Sequence, residues 1–159
     1  MDALILFSHG SLLCGAGDAL EAHAARLRAR GTWAMVEIGY LNYSEPGFLE
    51  AVERCVAAGA QRIVVAPYFL ISGFFITQSL PEKIAIAQSR HPGITFAVAE
   101  AFNFDESLAD AILESADAAD GNPAAWRAPL ARAAQACRPS PECPLYATPA
   151  CPKVPAPPV

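Results

Sequence analysis

No apolar run approaches the ~20 residues that a membrane span needs, and the opening Met1-Asp2-Ala3-Leu4-Ile5-Leu6-Phe7 has neither a basic leader nor a cleavage site. The expectation is a cytoplasmic protein without a membrane partner. Positive charge is scarce: eleven Lys and Arg against sixteen Asp and Glu leave a net charge of −5 over 159 residues. No basic cluster marks a footprint for a nucleic-acid backbone, so nucleic-acid binding is set aside. Five cysteines do not make a disulfide scaffold at this length, because a core can be buried without staples. Nucleotide signatures are missing too. Gly10, Gly15 and Gly17 do not fit G-x-G-x-x-G, no acidic residue closes the second strand as a Rossmann site requires, and no lysine follows a glycine where a phosphate loop needs one. A hydrolase using His9-Gly10 as an oxyanion loop lacks the Gly-x-Ser-x-Gly elbow.

What is present is apolar: 53% of residues are hydrophobic and 17% charged, which suits one globular domain. Charge and proline mark a boundary. Residues 1–118 hold seven basic and fourteen acidic side chains, a net of −7, whereas 119–159 hold four and two, a net of +2, and ten of the fourteen prolines. From about Arg138 onward the prolines exclude a helix or a central strand, so an extended or disordered tail is expected.

The body alternates strand and helix. Ala3-Leu4-Ile5-Leu6-Phe7 reads as a strand buried on both faces, followed by a helix over 17–30 with Leu20, Ala24 and Leu27 on one side. A strand at about 34–40 leads into a helix striped by Phe48, Val52, Cys55 and Val56, with Pro46 set for its first turn and Gly59 ending it. Arg62–Ala66 is the third strand, Ser79-Leu80-Pro81-Glu82 reads as a capping box opening a helix to about Arg90, and Ile94–Val98 is the fourth strand. A last helix, about 105–118, takes Asp105 as N-cap and turns Leu108, Ile112 and Leu113 inward; helical composition resumes at 124–137. Four such repeats predict an α/β fold, a three-layer domain with a four-stranded parallel sheet.

Ligands of such sheets bind beyond the carboxyl ends of the strands. The turn after strand one carries His9, Gly10 and Ser11, with an imidazole suited to binding a metal or taking a proton; hydrogen bonding to loop backbone is the structural alternative. After strand two come Asn42, able to hydrogen-bond a ligand, and Glu45, able to take protons or bind a cation. Both residue types also suit a helix start. After strand three, Ala66–Gln78 is too apolar for a solvated loop. Gly73, Phe74 and Phe75, with Phe69 and Ile76, suggest the wall of a site for a flat apolar ligand or a subunit interface, the alternative being closure over the core.

Taken in order, the His9-Gly10-Ser11 turn, the Glu45-Pro46 opening of helix two, Gly59–Pro67 and the Phe-Leu-x-x-Gly loop ending in Leu80-Pro81 resemble the small CbiX/SirB sirohydrochlorin chelatases over about residues 3–115. The resemblance implies half of a class II chelatase over residues 1–118, with a short helix and Pro/Cys-rich tail over 119–159. It further implies a homodimer that inserts Co²⁺ or Fe²⁺, as substrate, into a tetrapyrrole for cobalamin or siroheme synthesis. Metallation removes two pyrrolic protons, presents a partly dehydrated ion to one face of the ring, and holds a ring rich in carboxylates. His9 is the implied base and metal ligand, with Glu45 as second catalytic candidate; Gly10, Ser11, Asn42, Gly73, Phe74 and Phe75 are the candidate substrate contacts.

Two positions depart from the family pattern. Tyr40-Leu41-Asn42 stands where Phe-Leu-Glu is usual, and Phe75 where a second histidine is usual. Of the implied metal-side residues only His9 remains, so a divergent chelatase and a non-catalytic carrier or subunit both stay open. Cys14 follows the His9 turn and Cys55 lies on an apolar stripe. Cys137, Cys143 and Cys151 form C-x5-C-x7-C, which is not zinc-ribbon spacing; they are a second candidate metal set, for a soft metal or, with a fourth ligand, an iron–sulfur cluster, against solvated thiols.

Overall fold

A computed structural model describes residues 1–11, 17–119, 141, 146 and 147. The chain divides into two compact units, residues 1–10 with 19–103 and residues 11–18 with 104–159. The first holds a four-stranded parallel sheet of β1 (Asp2–Ser8), β2 (Met35–Tyr40), β3 (Arg62–Pro67) and β4 (Thr95–Val98), in the order β2-β1-β3-β4. The crossovers are α1 (Asp18–Arg30), α2 (Phe48–Ala57) and α3 (Leu80–Arg90). The α/β class and the parallel four-stranded sheet expected from the strand–helix alternation are both present.

Period-two alternation along β1 sorts its side chains between two cores. Ala3, Ile5 and Phe7 pack with Phe48, Val52 and Cys55 of α2 and Leu80 of α3, while Leu4 and Leu6 pack with Leu20 and Ala24 of α1. This makes three layers, with β1 at the centre. Gly39 allows α2 to approach the sheet, because a Cβ there would lie 3.1 Å from both Ile5 Cγ2 and Phe48 Cα. Among the described residues no helix is long and apolar enough to cross a membrane.

Cys55 is fully buried in the first core. Burial, with the Glu37 carboxylate as a lesser cause, pushes its thiol up to about 12. The folded state therefore holds this proton through a range where the unfolded thiol, ionising near pH 8.5, has lost it. The resulting stability is complete below that lower value and is lost as pH rises toward 12. The urea midpoint of the wild type is expected to fall more steeply than that of Cys55→Ala between pH 9 and 11; parallel slopes would contradict this.

Several expectations are corrected. Helix α2 begins at Phe48 with Gly47 as N-cap, so Pro46 lies before the first turn, after a cis Glu45-Pro46 bond. Its carbonyl accepts the Tyr40 N–H at 3.0 Å and is thereby tied to the end of β2. The capping box at Ser79 does not form: Ser79 is already helical, because a π-helical turn over Phe75–Ser79 runs directly into α3. In the second unit, α4 (Glu106–Asp117) is capped as expected, the Asp105 carboxylate accepting the Ser107 N–H at 2.9 Å. Its apolar stripe is not turned inward, since Leu108 is half-buried and Ile112 and Leu113 are exposed. Such a stripe is buried only where another surface meets it, and α4 buries no residue. The expected helix at 124–137 lies outside the described residues.

Candidate active site

Two turns at the carboxyl edge are stitched together through their backbones. Leu41 N–H donates to Ser8 O and Asn42 N–H to His9 O, both at 2.9 Å, and Ser44 N–H closes a tight turn on Asn42 O at 2.7 Å. The β1 turn is thus held against the β2 turn by main-chain groups, whatever side chain position 42 carries. Gly10 makes this approach possible. Its φ of +86° is left-handed, and a Cβ there would fall 1.8 Å from the Asn42 carbonyl oxygen.

His9 is half-buried at this junction. Its Nδ1 lies 3.1 Å from Gly10 O. A carbonyl only accepts, so the contact puts the hydrogen on Nδ1 and leaves the Nε2 lone pair as the free base or metal ligand. The ring lies 4.4 Å, centroid to centroid, from Phe75 and 5.6 Å from Tyr43. Phe75 is held in turn by Phe69 at 6.3 Å, and Phe69 by Phe7 at 5.9 Å. Aromatic contacts therefore run from the core to the imidazole and fix its orientation.

The β3–α3 loop exposes Leu70, Ile71 and Phe74, yet it is tied down. Phe102 and Asn103 donate their N–H groups to Phe69 O and Leu70 O at 3.1 and 2.9 Å. The Asn103 side chain bonds Ser72 twice, its Oδ1 accepting from Ser72 N at 3.0 Å and its Nδ2 donating to Ser72 Oγ at 3.1 Å. Asn103 adopts φ +35°, a region asparagine tolerates better than most residues. The result is an ordered surface of exposed apolar side chains.

The structure brings His9, Gly10, Asn42 and Phe75 together. Ser11 follows Gly10 as a half-buried residue, and Gly73 and Phe74 lie exposed on the apolar loop. Glu45 is exposed at the start of the cis Glu45-Pro46 bond. Among the described residues no three His, Cys, Asp or Glu side chains converge as a metal set. Cys14, Cys137, Cys143 and Cys151 lie outside them. Tyr43, Ser72 and Asn103 were not foreseen; the asparagine after strand four was the available signal, since asparagine often marks a left-handed turn.

The fold is that of an α/β protein, a doubly wound parallel sheet with a tautomer-fixed histidine and an aromatic loop at its carboxyl edge. The chain belongs to the CbiX family, whose model matches residues 3–119. It is 35% identical over 91 residues to a sirohydrochlorin cobaltochelatase of Methanocaldococcus jannaschii, covering 57% of this chain and 64% of that one. It is 27% identical over 114 residues to a sirohydrochlorin ferrochelatase of Priestia megaterium, covering 72% and 43%. The sirohydrochlorin chelatase SirB of Bacillus subtilis subspecies spizizenii, solved in complex with cobalt, superposes with a TM-score of 0.68 at 29% identity, covering 71% of this chain and 48% of SirB. The chain thus spans less than two thirds of the length of these relatives.

Proposed function

We propose that this chain is a divergent sirohydrochlorin metallochelatase that inserts Co²⁺ or Fe²⁺ into the tetrapyrrole, in cobalamin or siroheme synthesis, working as a homodimer. The observation that carries this reading is His9 at the carboxyl edge, whose Nδ1 is held by Gly10 O so that Nε2 carries the basic lone pair. Metallation exchanges two pyrrolic N–H protons for one divalent ion. Nε2 takes a proton as the ring nitrogen turns its lone pair to the metal, passes it to water, and is free for the second. Phe74 and Phe75 offer the ring an apolar surface, and the Gly10–Ser11 and Asn42 turns and Gly73 let its edge approach backbone. Glu45, exposed near the β2 turn, is the second proton acceptor in this scheme. In this reading the domain, which matches 48% of cobalt-bound SirB, pairs with a second copy of itself.

The test is anaerobic absorbance of sirohydrochlorin with Co²⁺, Fe²⁺ or Ni²⁺, with and without the protein. Faster metallation with protein supports the chelatase and identifies its ion, whereas failure to bind the ring sinks the proposal. Binding without acceleration selects the second reading, a tetrapyrrole carrier or subunit. That reading is favoured by Asn42, by Phe75, and by the lack of a three-residue ligand set among the described residues.

Phe75→His separates the two. The Phe75 ring lies 4.4 Å from His9, close to the spacing of two imidazoles sharing one ion. The variant is expected to bind Co²⁺ about tenfold more tightly, or by about 1.4 kcal/mol, in a calorimetric titration, and to metallate faster. Unchanged affinity counts against both readings of the site.

A further inference from the structure

Four of the six arginines among the described residues gather toward the amino edge of the sheet. Arg28 donates to Val36 O at the start of β2, Arg62 opens β3 beside Asp2, Arg54 lies near the end of α2 with Glu50 and Glu37, and Arg90 ends α3 near Glu53. Each also meets a carboxylate, Arg28 through Glu21. Because the helices run back from the carboxyl edge, His9, His23 in the second turn of α1, and Lys83 in the first turn of α3 are the donors able to carry positive charge that the described residues place toward that edge. An acidic body offers a polycarboxylate ring little else to hold it by.

His23 has a partner of suitable chemistry. Its Nε2 lies 3.4 Å from the Tyr68 hydroxyl, with the rings 5.4 Å apart, and Phe102 backs Tyr68 edge-on at 5.9 Å. Tyr68 follows β3 directly and donates its N–H to Phe7 O at 2.7 Å, so it starts beside the strand end that delivers His9. The two imidazoles leave on opposite sides of the sheet: His9 joins the Phe75–Phe69–Phe7 contacts of the α2/α3 layer, and Tyr68 turns to α1. The 3.4 Å contact is long for a hydrogen bond between a hydroxyl and an imidazole nitrogen and gives way readily to a better acceptor.

We propose that His23 Nε2 and Tyr68 Oη form a carboxylate-binding subsite that holds a peripheral acid of the ring while His9 works on the far side of the sheet edge. The assignment rests on the chelatase reading for its ligand. With a hydrogen on Nε2, His23 donates alongside the Tyr68 hydroxyl, and one carboxylate bridges the two, each oxygen accepting from one of them. Acid groups would then be anchored by a phenol and an imidazole, with no arginine of the described residues taking part.

Tyr68→Phe tests this cleanly, since it keeps both ring contacts and removes only the hydroxyl. Metal-free sirohydrochlorin is expected to bind Tyr68→Phe and His23→Ala five- to tenfold more weakly by absorbance titration, with KM raised and kcat kept. The ring with its carboxylates esterified should not distinguish the variants from wild type. Equal affinity for the free acid, or equal losses for acid and ester, overturns the subsite. An NMR titration with benzenetetracarboxylate reads it without any ring: the His23 Cε1–H signal should move in wild type and stay still in Tyr68→Phe. A still signal in wild type overturns the subsite even if the ring binds. A ring that does not bind overturns the chelatase reading even if the signal moves.

Discussion

His9→Ala is expected to slow metallation of sirohydrochlorin by about 10²- to 10⁴-fold, the range for losing a positioned proton acceptor, while changing affinity for the metal-free ring only a few-fold. The split follows from the geometry. Nδ1 is committed to Gly10 O, so the only free basic atom of the imidazole is Nε2, and alanine removes it. In the proposed scheme ring affinity comes instead from the exposed loop side chains Leu70, Ile71 and Phe74 and from the His23–Tyr68 pair, none of which the substitution touches. Loss of the 4.4 Å contact with Phe75 costs about 0.5–1.5 kcal/mol of stability, too little to unfold the domain. His9→Gln sharpens the reading: its amide can hydrogen-bond loop backbone but offers no basic nitrogen, so it should be as slow as alanine if proton transfer is the role. Recovery of rate in His9→Gln would assign His9 to orientation alone, and a wild-type rate in both variants would remove it from the chemistry.

The fold was legible because its signals are local and repeated. Apolar runs at 3–7 and 62–66, glycines closing the helices and the striped helix at 48–56 each carry their element in their own residues, and the parallel sheet follows from alternation. The misses share a cause, since each depends on something distant in sequence. The helix before Leu80 begins a turn early because Phe75 is drawn toward His9 and Phe69, which no capping rule records. Pro46 was misplaced because its carbonyl is taken by Tyr40. At the site, His9 could be singled out from its place after the first strand. The Ser72–Asn103 pair and the His23–Tyr68 pair, bridging 31 and 45 residues, could not, because long-range side-chain pairing leaves no periodic trace.

Gly10→Ala is the sharpest test of how the fold makes the site. A β-carbon at position 10 meets two separate penalties: a left-handed backbone at φ +86°, and an overlap at 1.8 Å with the Asn42 carbonyl oxygen. The obstacle is main chain, so no rotamer change relieves it. Together these should lower stability by roughly 2–4 kcal/mol, read as a shift in urea midpoint at constant slope. Gly93→Ala is the control, since a Cβ there meets nothing within 4 Å, and it should fall within about 0.5 kcal/mol of wild type. The chain has one way to relieve the strain without unfolding, which is to part the two turns and break the Asn42 N–H···O=C His9 bond of 2.9 Å. That route would swing the imidazole away from Phe75, so metallation should fall even in the fraction of Gly10→Ala that remains folded. A folded, fully active Gly10→Ala would mean that the stitched turns are not what positions His9.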